Sequence, residues 1–142
     1  MRIRTYLESD EEDVVALWHA CGLTRPWNDP HKDIARKLTV QRDLFLVGEL
    51  EGRLVSSVMA GFEGHRGWVY YLAVSPQYRG RGYGAALMKL VEGMLIERGC
   101  PKINLLVRST NRAVLEFYGR LGYAPDDVVP LGKRLIPDEP TS

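Results

Sequence analysis

The sequence predicts an α/β fold in which helices cover a mixed, mostly antiparallel sheet, and three features carry that expectation. A strand, a glycine-rich turn, a helix and a second strand succeed one another between Val69 and Val107, an arrangement that closes as a parallel pair. Upstream, Leu44–Leu50 and Leu54–Phe62 are strand-like runs separated by Glu51-Gly52-Arg53, which reads as an antiparallel hairpin. The chain has 142 residues, 45% hydrophobic and 26% charged, the size and balance of one domain with one core. One domain is therefore expected over 1–142, with a loose acidic, proline-containing tail at 137–142.

The elements follow in order. Ile3–Leu7 alternates as a first strand. Ser9 with Glu12 forms a capping-box pattern for a helix whose apolar stripe is Val14, Val15, Leu17, Trp18 and Cys21. Pro26 stops that helical pattern, whereas Asp29 followed by Pro30 is a cap and first-turn pair for a second helix reaching about Thr39. After the hairpin, Gly64–Gly67 turns the chain into Val69–Val74, a short apolar strand with little alternation, as expected where both faces are covered. Pro76 ends it. Leu87, Leu90, Val91, Met94 and Leu95 recur at helical spacing between Gly84 and Arg98, and Gly99 with Pro101 supplies the stop. Ile103–Val107 reads as another buried strand, Asn111–Leu121 as the last helix and Val128–Ile136 as the final strand.

Nineteen basic against eighteen acidic residues leave a formal charge of +1, so no long-range field exists to hold nucleic acid or an anionic membrane. No apolar run approaches the roughly 20 residues that span a bilayer. The opening MRIRTYLESDEEDVV lacks the apolar core of a secretory signal, and a cytoplasmic monomer or homodimer is expected. His19, His31, His65, Cys21 and Cys100 show no metal-ligand spacing, so no metal site is expected.

The chemistry concentrates in Arg79-Gly80-Arg81-Gly82-Tyr83-Gly84-Ala85, where three glycines and two arginines lie between a strand and a helix. Glycine lets backbone N–H groups turn toward one point and a bulky anion approach, while the new helix presents unpaired donors and a partial positive charge. A plain strand-to-helix turn needs one or two glycines, rarely three alternating with arginine, so a pyrophosphate site is favoured over an ordinary turn. Gly80-x-Gly82-x-x-Ala85 also matches the loose dinucleotide fingerprint. It follows an antiparallel hairpin, however, and the acidic residue Glu97 falls in the helix rather than at the end of a second strand. A magnesium-nucleotide P-loop is excluded because no Gly-Lys-Ser or Gly-Lys-Thr occurs.

These residues resemble the coenzyme A signature of the GCN5-related N-acetyltransferase (GNAT) family, carried by Arg79, Gly82 and Gly84. Leu72-Ala73-Val74-Ser75-Pro76 resembles the family's fourth strand and its exit. Asn111-Arg-Ala113-Val-Leu-Glu-Phe-Tyr118-Gly-Arg-Leu121-Gly122-Tyr123 resembles its second cofactor motif. Leu23–Pro30, Gly64–Tyr71 and Leu131–Ile136 look like the small enterobacterial YpeA-type members. The resemblance implies a sheet of about six or seven strands splayed between the fourth and fifth, with about four helices. It implies an N-acetyltransferase that uses acetyl-CoA and acetylates a primary amine, on a small molecule or a protein, by direct attack in a ternary complex. Backbone amides of Gly80–Ala85, including Arg81 and Tyr83, would wrap the pyrophosphate, and Leu72 and Val74 would pair with the pantetheine arm. Asn111 would contact the pantetheine, and Tyr118, seven residues on, would donate to the departing thiolate.

The family's acidic positions are apolar here, Trp68 at the histone-acetylating position and Leu106 at the ribosomal N-terminal-acetylating one. Glu63 is then the first candidate base, ahead of His65 and Asp29. Trp27, Asn28, Asp29 and His65 are the candidate acceptor residues, although Asp29 also reads as a helix cap and Gly64-His65-Arg66-Gly67 as a hairpin turn. The absent glutamates motivate an alternative, an acyl-CoA-binding regulatory module with little turnover. A dinucleotide oxidoreductase is the third reading, and it predicts stabilisation by NAD.

Overall fold

A computed structural model describes residues 1–138, which fall into two compact units: residues 1–105 together with Asp138, and residues 106–137. The first unit holds a five-stranded sheet in the order β1 (Arg2–Thr5), β2 (Phe45–Leu50), β3 (Arg53–Phe62), β4 (Gly67–Val74), β5 (Ile103–Leu105). Its first three pairings are antiparallel and β4–β5 is parallel, so the mixed α/β expectation is met. Three α-helices accompany it: α1 (Glu11–Ala20), α2 (Pro30–Lys37) and α3 (Tyr83–Glu97). The second unit carries α4 (Arg112–Arg120).

Local chemistry accounts for most boundaries. The β2–β3 turn places Glu51 at φ 52° and Gly52 at φ 76°, the left-handed pair that matches strand twist in a two-residue hairpin. Asp29 caps α2 by accepting from the N–H groups of His31 (2.9 Å) and Lys32 (3.4 Å), with Pro30 in the first turn. At α1 the expected Ser9–Glu12 box does not form. Asp10 takes its place: its carboxylate accepts from Leu7 N–H and, through both oxygens at 2.8 Å, from the Arg4 guanidinium. A charged bidentate partner outcompetes a serine hydroxyl at such an end.

The core forms where α1 and α2 meet the sheet. Trp18, Ile34, Phe45 and Val47 are fully buried there, each contributing about 1.5–3 kcal/mol of apolar transfer. Leu46 and Val58, which alternate to the opposite face, are buried as well, and α3 packs on β3 and β4 with Leu87, Met88, Val91 and Leu95 inward. Leu90, assigned to that stripe by spacing, is instead 41% exposed.

One expectation is corrected. Among the described residues the sheet has five strands rather than six or seven, because Val128–Ile136 forms no strand and exposes Val128, Val129, Leu131, Leu135 and Ile136. Pro130 removes a ladder donor and Gly132 weakens any strand across that run. Within the segment expected to be a loose tail, Asp138 is 3% exposed, pairs with Arg36 at 2.6 Å and accepts from Asp29 N–H at 3.0 Å. Residues 139–142 lie outside the described residues.

Candidate active site

The site begins with an asymmetry in β4. Gly67, Trp68 and Val69 pair with β3 on one side and with Ile103, Asn104 and Leu105 of β5 on the other. From Tyr70 to Val74, among the described residues, only the β3 pairing continues. Within that second half the register slips: Met59 faces Tyr70 and Ser57 faces Ala73, so Tyr71 and Leu72 together oppose Val58. This is a β-bulge, and its first residue, Tyr71, sits at φ 53°.

The bulge changes which peptide groups face the uncovered edge. Before it, Gly67 N–H donates to Lys102 O at 2.8 Å, so odd-numbered residues face β5. After it, Ser75 N–H donates to Val55 O at 2.8 Å, so Ala73 and Ser75 face β3 while Leu72 and Val74 are directed to the open side. Those are the two residues expected to pair with an extended arm. The Val74 carbonyl is partly engaged already, accepting from Arg79 Nε at 3.2 Å and Cys21 Sγ at 3.3 Å.

A tyrosine at positive φ costs about 1–2 kcal/mol, so something must hold it. Three contacts do. Ser57 Oγ donates to the Tyr71 carbonyl (2.9 Å) while accepting from Trp18 Nε1–H (2.9 Å). The Tyr71 ring stacks on Trp18 with centroids 3.7 Å apart, and its hydroxyl donates to Asp33 Oδ2 at 2.6 Å. Hydrogen bonds at about 1 kcal/mol each and a stack of similar worth exceed the strain. Burial, then the Asp33 carboxylate, push the Tyr71 phenol well above its ordinary range, so it stays a donor. Neither Tyr71, Ser57 nor Asp33 stands out in the sequence as a site residue; the visible signal is the polar pair Ser56-Ser57 inside an otherwise apolar strand.

The chain leaves β4 into the glycine-rich turn. Gly80 and Gly82 adopt φ 79° and 81°, and Gly82 is the N-cap of α3 with no side chain to offer. The first bond back into the helix is Ala86 N–H to Gly82 O, so the first-turn amides of Tyr83, Gly84 and Ala85 have no intrahelical acceptor. A β-carbon at Gly80 or Gly82 would meet no protein atom within 4 Å. The glycines thus answer to backbone conformation and leave the space above the loop open, which suits a bulky diphosphate. Arg81 lies over the Tyr78 ring, 5.1 Å from its centroid.

The other expected residues fare differently. The exposed Glu63 accepts from His65 N–H and Arg66 N–H, which hold its carboxylate below the usual range. It staples the β3–β4 turn together with His65, and a rise of four positions along the strand, roughly 13 Å, separates Gly67 from Tyr71. The Glu63 carboxylate, the first-ranked candidate base, is engaged with the N–H groups of its own turn. Asp29 is committed to capping α2. Asn28 closes a bridge with Arg25, and Trp27 is 51% exposed.

In the second unit, Asn111 is the N-cap of α4, its side chain accepting from Val114 N–H at 3.3 Å. Tyr118 is buried, with Phe117 and Tyr123 edge-on at 5.0 and 5.5 Å, and burial pushes its phenol up to about 12. Among the described residues no helix is long and apolar enough to cross a membrane.

Comparison with known proteins agrees with this architecture. The model of the acetyltransferase (GNAT) family matches residues 7–123. An acetyltransferase of Sodalis glossinidius is 54% identical, covering 98% of this chain and 99% of its own. One of Yersinia enterocolitica is 52% identical over the same shares. Among solved structures, an N-acetyltransferase of Thermoplasma acidophilum in complex with coenzyme A superposes with a TM-score of 0.76 at 16% identity, over 90% of this chain and 92% of that one. The chain belongs to the GNAT acetyltransferase family and is an acyltransferase.

Proposed function

We propose that the protein transfers an acetyl group from acetyl-CoA to a primary amine by direct attack within a ternary complex. The observation that carries this reading is the uncovered second half of β4, whose Leu72 and Val74 peptide groups face away from β3 and lead directly into the Arg79–Ala85 turn. An extended pantetheine adds to such an edge as a strand would, and the amides at the head of α3 receive the diphosphate. The cosubstrate supplies a thioester, which the amine attacks with loss of thiolate. Leu72 N–H is the donor proposed to meet the carbonyl oxygen as charge grows on it.

Tyr118 is proposed as the donor to the leaving sulfur, supported by the family resemblance around Asn111–Tyr123. With its phenol near 12, Tyr118 acts as a hydrogen-bond donor more than as a full proton donor, since a thiol near 8.5 is the stronger acid. Glu63 is not required. The acceptor amine arrives neutral or loses its proton to water, and orientation does most of the work. Steady-state thiol release with acetyl-CoA and a panel of primary amines tests the proposal. Tyr118→Phe should lower kcat by about tenfold with little change in acetyl-CoA affinity, and an unchanged kcat would remove Tyr118 from the mechanism.

A further inference from the structure

We propose that Ser57 is a positioning residue for acyl transfer: its hydroxyl holds the Tyr71 carbonyl and thereby aims the Leu72 N–H at the thioester carbonyl. The inference rests on the cofactor placement proposed above and names the residues that make it exact in direction. A trans peptide is planar, with C=O and N–H pointing opposite ways. Among the described residues no peptide bond is cis, so a Tyr71 carbonyl drawn onto β3 by Ser57 Oγ at 2.9 Å sends the Leu72 N–H toward the edge that β5 does not cover.

Ser57 is itself fixed. It is fully buried, and its hydroxyl accepts from Trp18 Nε1–H at 2.9 Å, which leaves its own proton committed to Tyr71. The Tyr71 side chain closes the clamp from α1 and α2, stacked on Trp18 and bonded to Asp33, which also meets Arg36 at 3.3 Å. A donor that develops its full strength only when correctly aimed gains from such rigidity, because it need not reorganise as charge appears. Ser57 and Asp33 both bond to Tyr71, the residue before Leu72, so their effect on the Leu72 N–H travels through the Tyr71–Leu72 peptide plane.

Isotope-edited infrared spectroscopy of bound acetyl-CoA labelled with carbon-13 at the acetyl carbonyl reads this directly and needs no acceptor. The wild-type protein should move the carbonyl stretch to lower wavenumber. Ser57→Ala should lose most of that shift, and Tyr71→Phe part of it, with acetyl-CoA affinity by calorimetry within about threefold of wild type. Trp18→Phe keeps a stacked ring and removes the indole donor; it should lose a smaller share and carries the test should Ser57→Ala not fold. An undiminished shift in the folded variants overturns the proposal, as does a loss of affinity that parallels the loss of shift, since the residues then merely hold the pocket together. Wild-type binding without any shift overturns it while leaving the cofactor site intact. Absence of wild-type binding overturns both, and identifies the cofactor placement as the failure.

Discussion

The two halves of β4 are adjacent in sequence and opposite in design. Gly67–Val69 is hydrogen-bonded on both sides, and its neighbours serve packing: Val69 is buried and Lys37 Nζ donates to the carbonyl of Ala60, its β3 partner. Tyr70–Val74 is bonded on one side, carries a strained residue, and runs into a turn with two left-handed glycines. A sheet normally hides such an edge or blunts it with charge. On the function proposed above, the edge left open beside a helix N-terminus is where the extended arm of the cofactor would add as a strand.

The largest effect should come from breaking the open half. Replacing Gly80 and Gly82 together by alanine forces two L-residues to positive φ at about 1–2 kcal/mol each, and should weaken acetyl-CoA binding by about a hundredfold in calorimetry while that strain lowers the thermal midpoint by about 5–15 °C.

A smaller effect belongs to the closed half and to stability alone. Burial, with Arg98 adding repulsion, lowers the Lys37 ammonium from 10.5 to about 8. The unfolded chain therefore holds a proton up to pH 10.5 that the fold releases at about 8. The contribution is fully present above pH 10.5 and is lost as pH falls through 8, so stability from this group rises across that window. In Lys37→Met that rise should vanish from the difference between the two urea-unfolding profiles, with acetyl-CoA affinity unchanged. A Lys37→Met variant that binds more weakly would blur the division between the halves.

The smallest effect is expected at the turn that precedes the closed half. Glu63→Gln should leave turnover within about twofold, as for a surface change that touches no reacting atom. A tenfold fall in kcat would return Glu63 to the base role and move the reacting centre along the strand.

How much of this was legible depends on whether a feature is local. The glycine turn and the β2–β3 hairpin could be read because a left-handed backbone selects glycine whatever surrounds it. Asp29 could be read as a cap for the same reason. The bulge could not. A tyrosine does not favour φ 53°, and Tyr71 adopts it because Ser57, Trp18 and Asp33, from β3, α1 and α2, converge on it. Glu63 illustrates the converse, since an acidic residue beside a strand reads alike in the sequence whether it activates an amine or holds a turn, and its bonds to His65 and Arg66 N–H are what the sequence does not reveal. Val128–Ile136 carries the β-branched and apolar residues of a strand, but Pro130 and Gly132 interrupt them, and a strand also needs a partner ladder, which composition does not encode.

Backbone amide chemical shifts during a titration with acetyl-CoA test the central claim most directly. The largest changes should fall on Leu72, Val74 and the amides from Gly80 to Ala85, with Gly67–Val69 and the Glu63–Arg66 turn nearly still. Saturating acetyl-CoA that leaves those amides unmoved, or moves the closed half instead, would contradict it.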